Sequence, residues 1–371
     1  MLRSISNFCG AALAAGALAA CSGSSSALFG AGLPRATSAT GTHARAASSG
    51  HPLWLSAMPP PSSITPSHAK SWVSPSLKSA KSTASLLFVT DVSYRTVNIF
   101  SFPYLNLEAV ITGFSVPEGE CTDRTGNVWV TDQAADSDTI VELSRTGSII
   151  NTLADTAGFP GSCAINPKNG DLAVTNIEDN GYNAGSVLIY KNASGTPTQI
   201  ACSGLAEYYF DGFDNNGNLA VDGQTLGGGY EACYGSESSL SPLAIEGATL
   251  YFPGTVVWSS ANKYWDFFDQ DCQNISSACA YWMKISKGTA TNTGVTNFIS
   301  EAGGPVCDLI QAVLSPKGNL YVGGVDYEGG CDYTQSGAYT WNYPSGELPE
   351  SVWQNSDYIS YPVGAAITPN K

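Results

Sequence analysis

The chain has 371 residues, 10 of them Cys, and only 13% are charged, about half of the roughly 25% found in typical soluble domains, which excludes a coiled coil and a charge-driven disordered chain. Its 39 Gly and 20 Pro follow no three-residue period, and 43% of residues are apolar, enough for a real core. The formal charge of −15 has the wrong sign for phosphate backbones, so no nucleic acid is expected as a partner.

The first 84 residues hold 6 of the 16 basic residues and none of the 31 acidic ones, so the remainder carries a formal charge of −21. All 3 His, at positions 43, 51 and 68, also lie in this arm. Residues 1–7 carry Arg3, residues 8–20 are small and apolar, and Leu18-Ala19-Ala20-Cys21 follows. So short an apolar segment is a signal-peptide core, because a membrane-spanning helix needs about 20 residues. Leu-Ala-Ala-Cys resembles the bacterial lipobox. That resemblance implies a lipoprotein signal peptide over 1–20 and lipidation of Cys21 as the first mature residue; an ordinary secretory signal ending near Ala20 is the alternative. The expected location is the bacterial cell envelope, lipid-anchored and facing outside the cytoplasm. Ser22 after the Cys resembles lipoproteins of an outer membrane, where the cell has one. Residues 21–84 are rich in Ser, Ala and Pro, including Pro59-Pro60-Pro61. They show no apolar period and are expected to be a basic, disordered linker, semi-extended where Pro clusters. Trp54 and Ser71-Trp72-Val73 interrupt it as candidates to dock on the body.

From residue 85 a pattern returns: a polar turn, then a β-rich strand ending in a small or acidic residue. Its copies are Asp123-Arg124-Thr125-Gly126-Asn127-Val128-Trp129-Val130-Thr131-Asp132, Asn166-Pro167-Lys168-Asn169-Gly170-Asp171-Leu172-Ala173-Val174-Thr175-Asn176, Asp214-Asn215-Asn216-Gly217-Asn218-Leu219-Ala220-Val221-Asp222 and Ser315-Pro316-Lys317-Gly318-Asn319-Leu320-Tyr321-Val322-Gly323. A degenerate copy is Ala261-Asn262-Lys263-Tyr264-Trp265-Asp266-Phe267-Phe268-Asp269. A repeat of roughly 40–50 residues means an array. Gly-Asn supplies the positive φ of a tight hairpin. Further β-rich runs such as Thr139-Ile140-Val141-Glu142-Leu143 and Ser186-Val187-Leu188-Ile189-Tyr190 follow, and most periods open with Pro and Gly, as in Val116-Pro117-Glu118-Gly119, Phe159-Pro160-Gly161 and Phe252-Pro253-Gly254. About four strands per period is the pattern of a β-propeller blade. Tyr361-Pro362-Val363-Gly364-Ala365-Ala366-Ile367 reads as an opening strand without a continuation, and Leu86-Leu87-Phe88-Val89-Thr90-Asp91 as a second strand without an opening one. The expected fold over 85–371 is thus all-β: a six-bladed β-propeller closed by pairing the C-terminal strand with the N-terminal strands, which removes free sheet edges.

The Pro-x-Gly opening, the Gly-Asn hairpin and the Val-Thr-Asp strand ending resemble NHL-repeat and related bacterial surface or periplasmic propellers. The resemblance covers 85–371 and implies a fold rather than an activity, since propellers host many functions.

Setting aside Cys9 in the signal and Cys21 leaves an even number of Cys in an exported domain, which favours disulfides over buried free thiols. Cys272 and Cys279 flank one hairpin loop, and Cys121 and Cys163 occupy corresponding positions on successive opening strands. Cys202 with Cys233 and Cys307 with Cys331 remain by elimination.

With no His after position 68, the body cannot build a Ser-His-Asp triad or a His-ligated metal site. Carboxylates remain. Aligning the strand ends brings Asp91, Asp132, Asn176, Asp222 and Asp269 to one repeat position, with Gly324 in the last copy. Oxygen-rich positions like these could converge on Ca²⁺, which would resemble gluconolactonase-type propellers whose metal polarises a lactone. Turn capping produces the same pattern and is the simpler reading. Trp258, Trp265, Trp282, Trp341 and Trp353 suit packing between sheets better than sugar platforms. The expected function is a non-catalytic binding module without a cofactor, monomeric, for an unknown protein, peptide or small ligand. A Ca²⁺-dependent lactonase-like hydrolase or lyase using channel carboxylates is the alternative, and a structural envelope component the second.

Overall fold

The computed structural model describes residues 70–79, 84–134, 138–272, 277–306, 309–325 and 336–370. Cys21, the signal segment, Trp54, all His residues, Cys307 and Cys331 lie outside them. The described chain is almost entirely β, built from antiparallel meanders arranged in sheets of five, four, four and twelve strands.

Edge strand β1 (Trp72–Val73) comes first, then a single-turn helix α1 (Pro75–Lys78), whose first turn is capped by the Ser74 hydroxyl accepting from Leu77 N–H. Strands β2 (Leu86–Asp91), β3 (Thr96–Ser101) and β4 (Leu107–Thr112) form a meander. Ser71-Trp72-Val73, singled out within the linker as a candidate to dock on the body, does so: β1 pairs with the open edge of β4, Trp72 opposite Val110. The second sheet is β5 (Pro117–Thr122), β6 (Val128–Asp132), β7 (Thr139–Leu143) and β8 (Ile149–Ala154); the third is β9 (Gly158–Ile165), β10 (Leu172–Asp179), β11 (Ala184–Tyr190) and β12 (Thr198–Ile200). Three further meanders follow: β13 (Leu205–Phe213) to β14 (Leu219–Thr225), β15 (Tyr230–Ser236) and β16 (Ser239–Glu246); β17 (Pro253–Ser259) to β18 (Tyr264–Asp269), β19 (Cys279–Ser286) and β20 (Thr289–Phe298); and β21 (Ala312–Leu314) to β22 (Leu320–Val325), β23 (Gly337–Asn342) and β24 (Gly346–Trp353). Parallel pairing of β16 with β20 and of β20 with β24 joins these three into one twelve-stranded sheet. The last strand, β25 (Pro362–Ile367), returns to pair antiparallel with β2, Leu87 opposite Ile367 and Val89 opposite Ala365.

The hairpins follow from side-chain chemistry. Asp123 accepts from the N–H groups of Thr125 and Asn127 at 2.7 and 2.9 Å, and Asp214 does the same for Asn216 and Asn218. The Gly that follows takes φ +83° at 126 and +79° at 217, a conformation other residues adopt at a cost. In the degenerate copy Lys263 occupies the left-handed region instead, at φ 60°.

The opening strands pack in succession: β25 on β5, β5 on β9, β9 on β13, β13 on β17, β17 on β21 and β21 on β25. They approach so closely that a Cβ on Gly364 would stand 2.3 Å from Glu118 O, one on Gly119 2.6 Å from Gly161 O, and one on Gly212 2.2 Å from Val256 O. The recurrent Gly of the opening is therefore a packing requirement between neighbouring sheets. Buried Thr hydroxyls add hydrogen bonds across the same seam: Thr90 donates to Glu118 O at 2.6 Å, Thr131 to Gly161 O at 3.2 Å and Thr175 to Tyr209 O at 2.8 Å. Farther out, apolar clusters fill the space between sheets, as where Phe88, Val97, Ile99 and Ile111 meet Val128, Val130 and Val141. Disulfides join Cys121 to Cys163 between β5 and β9, Cys202 in the β12–β13 connection to Cys233 on β15, and Cys272 to Cys279 across the β18–β19 loop.

Candidate functional site

The face where β2, β6 and β18 end carries the acidic repeat position. Each carboxylate there reaches back to the crossing that leads into an opening strand. Asp91 accepts from Ser360 and Tyr361 N–H at 2.6 and 2.8 Å, Asp132 from Ser115 and Val116 at 2.8 Å each, and Asp269 from Tyr251 and Phe252 at 2.8 Å each. The next residue closes the same crossing: Val92, Gln133 and Gln270 donate their N–H to the carbonyls of Tyr361, Val116 and Phe252. Burial pushes all three carboxyls up to about 6, although the amide bonds favour the charged form. At the third sheet the cap has moved: Asp155 accepts from Ala157 and Gly158 N–H, while Asn176 donates to Asp155 at 3.2 Å. Asp222 accepts from Phe210 N–H at 3.1 Å. Asp91, Asp132 and Asp269 therefore sit at separate crossings as backbone caps, whereas Asn176 bonds the neighbouring cap Asp155 and Asp222 bonds the backbone within β13. Among the described residues no group of three or more His, Cys, Asp or Glu is placed to hold a metal ion.

Where the opening strands converge, a cavity of about 10 Å³, room for about one water molecule, is lined by Glu118, Gly119, Gly161, Ile177, Tyr209, Phe210, Ile310 and Val363. Glu118 is its one ionisable carboxylate. The side chain is 4% exposed, and its Oε1 has no hydrogen-bond partner among the described residues. Burial, with the charge of Asp132 adding to it, holds its carboxyl well above the usual range. On the same opening strands Glu120 is buried with both carboxylate oxygens unpartnered among the described residues, and Asp211 is buried beside the Ser162 hydroxyl. Burial raises both, Asp211 to about 8. A larger cavity, about 350 Å³, lies beside Cys272, Asn297, Phe298 and Pro305; among the described residues its lining holds no carboxylate, and its cysteine is in a disulfide. The chemistry therefore lies with Glu118.

Aromatic side chains rim the acidic face. Phe159 stacks on Tyr182 with ring centres 5.6 Å apart, Tyr230 stands between Tyr209 and Phe252 at 6.4 and 6.1 Å, and Tyr251 and Leu226 are 40% and 92% exposed. The tryptophans lie elsewhere: Trp265 and Trp341 are buried against Tyr234 and Phe298, and Trp353 packs on Phe100. Sequence reasoning singled out neither Glu118 nor Gln311, which bonds the β5 backbone. One signal was present for the first: of the Pro-Gly openings, only Pro117-Glu118-Gly119 carries an acid.

No family model matches the sequence, and no curated protein matches it. Solved structures do. A chain of a nidogen/laminin complex and a protein of unknown function from Bacteroides caccae each superpose with a TM-score of 0.56 at 11% identity, covering 77% of this chain and 99% of theirs. TolB from Acinetobacter baumannii gives 0.53 at 11% identity, over 77% of this chain and 67% of its own. The likeness is one of fold. The chain has an all-β, propeller-like architecture distantly related to these structures.

Proposed function

We propose that this chain is a six-bladed, NHL-like β-propeller, tethered to a bacterial envelope membrane through lipidated Cys21, that works as a monomeric, non-catalytic binding module. Its ligand, a protein, peptide or small molecule, engages the acidic, aromatic-rimmed face. The succession of packed opening strands supports six blades, and the return of β25 to β2 supports closure of the ring. One observation carries the functional reading: the strand-end carboxylates Asp91, Asp132 and Asp269 are each committed to backbone amides at separate crossings, and the cavity where the opening strands converge has room for about one water molecule. A substrate-sized cleft with convergent oxygens is not what these residues build, whereas exposed Tyr251 and Leu226 offer contact surface.

Two measurements on the full chain test this. Assayed on lactones and esters with Ca²⁺, it should show no turnover; chelator-sensitive hydrolysis overturns the proposal. A photo-crosslinking residue at Leu226 should trap a ligand or partner in the native envelope that the same residue at Ile149, exposed on β8, does not. Equal labelling from both sites overturns the choice of face.

A further inference from the structure

Glu118 raises a question that backbone capping does not answer. Its neighbours on the acidic face lie at crossings and accept amide protons, whereas Glu118 sits on β5 and lines the axial cavity. A buried carboxylate oxygen without a partner costs several kcal/mol unless a proton or a cation compensates it. The cavity lining offers no basic side chain. What would fit is limited by size and charge. Ca²⁺ needs about six to eight oxygen ligands, more than a cavity holding about one water molecule can array around an ion. A primary ammonium group has nearly the volume of a water molecule. It brings the missing charge, and its three N–H donors can be shared between a carboxylate and carbonyl oxygens. The aromatic residues Tyr209 and Phe210 stand in the same lining, and the body's formal charge of −21 draws cations toward it.

We propose that the axial cavity is a receptor for one primary alkylammonium group, the end of a small amine or of a lysine side chain, which pairs with the Glu118 carboxylate. This rests on the acidic face being the ligand-binding side and names the chemistry recognised there. The ring of close glycine contacts, Gly364 on Glu118 O and Gly119 on Gly161 O, keeps the cavity narrow and makes it selective for an unbranched cation.

The test uses the full chain at constant ionic strength with n-butylammonium, n-butanol, tetramethylammonium and the capped tripeptide acetyl-Gly-Lys-Gly-amide, read by calorimetric titration and by melting temperature. Butylammonium is expected to bind and raise the melting temperature, butanol and tetramethylammonium to do neither, and Glu118→Gln to weaken butylammonium at least about tenfold. The tripeptide distinguishes the sources: binding that Glu118→Gln removes assigns the site to a lysine side chain as well, and no binding restricts it to small amines. Glu118→Gln should melt cooperatively at the wild-type temperature or above, because it removes a buried carboxylate, so loss of binding is not loss of fold. Equal affinity in Glu118→Gln, equal binding of tetramethylammonium, or no response to butylammonium overturns the proposal. Crosslinking from Leu226 that persists while these fail would leave the binding face standing and refute only the ammonium site.

Discussion

The side-chain amide of Gln311 pairs with the backbone of Glu120 as a neighbouring strand would: Gln311 Oε1 accepts the Glu120 N–H at 2.9 Å and Gln311 Nε2 donates to Glu120 O at 2.9 Å. The same Oε1 accepts the Ala365 N–H at 2.9 Å. One buried side chain thus joins the last meander, β5 and β25, which do not share a ladder at this level. Gln311→Ala leaves two buried backbone donors and an acceptor unpaired, each worth about 1–3 kcal/mol, so a loss of at least about 3 kcal/mol is expected in denaturant titration. Gln311→Glu should be nearly as harmful, since it replaces the donating amide by a buried acid. A loss below about 0.5 kcal/mol, within the range of ordinary surface substitutions, would show that the pairing does not hold the seam.

The acidic caps separate shape from charge. Both amide bonds from Ser115 and Val116 at 2.8 Å end on Asp132 Oδ1, an oxygen that Asn also provides. Asp132→Asn should therefore change stability at neutral pH by less than about 1 kcal/mol, while Asp132→Ala should cost about 1–3 kcal/mol by leaving two crossing amides without an acceptor. Equal losses in the two variants would mean that the negative charge itself is required, and the metal-ligand reading of this position would regain force.

Stability should fall as pH rises. Asp91, Asp132, Asp138 and Asp269 are pushed up to about 6 and Asp211 to about 8 by burial, and Glu118, Glu120, Asp222 and Asp266 are also raised. A carboxyl whose folded value exceeds its unfolded one binds protons more tightly in the native state. Its contribution is full below the ordinary carboxylate range, near 4, and is lost as pH climbs through the folded value. Asp171, bonded to Lys191, and Asp179, bonded to Asn183, are lowered and act oppositely, below about pH 4. The melting temperature should therefore peak near pH 4–5 and decline toward pH 8. Asp211→Asn should flatten the decline above pH 6. A melting temperature that rises steadily from pH 4 to pH 8 contradicts this.

Local chemistry explains what the sequence revealed and what it hid. The hairpins are legible because Asp123 or Asp214 and the positive φ of Gly126 or Gly217 must occur at a fixed offset. The strand-end acids are equally visible, and their capping geometry repeats at Asp91, Asp132 and Asp269. The shift of the cap to Asp155 was hidden, since Asn176 keeps its place in the repeat while the acceptor comes from the preceding crossing. Gln311 was hidden more deeply: it acts on Glu120, far away in sequence, and no local pattern marks such a pairing. Trp72–Val73 stood out in the linker as a segment to dock on the body, but it is too short to show a strand period, and only the open edge of β4 makes it a strand.

The tether has a solution test of its own. Cys21→Ala in the full chain should move the protein from the membrane to the soluble fraction and abolish metabolic labelling with a fatty-acid analogue. Among the described residues no helix is long and apolar enough to cross a membrane. If the variant remains membrane-bound, lipidation of Cys21 is not what holds it there.

Truncation at the C-terminus tests closure most directly. β25 is buried at Val363, Ala365 and Ala366, covers β2 along its length, and brings Gly364 N–H to the Thr90 hydroxyl at 2.7 Å. Removing residues 361–371 uncovers Leu87 and Val89, now fully buried, and takes away the Asp91 cap partner Tyr361 and the Gln311 partner Ala365. Losing several buried apolar side chains at about 1.5–3 kcal/mol each exceeds the roughly 5–15 kcal/mol that stabilises a typical domain once the hydrogen bonds are added. The truncated chain should therefore lose its cooperative melt, or melt at least about 15 °C lower. A synthetic peptide spanning 359–371 should restore the transition, because the vacated edge of β2 has the register to accept it. An unchanged melting temperature without the peptide would mean that β25 lies on the first sheet without holding the ring together.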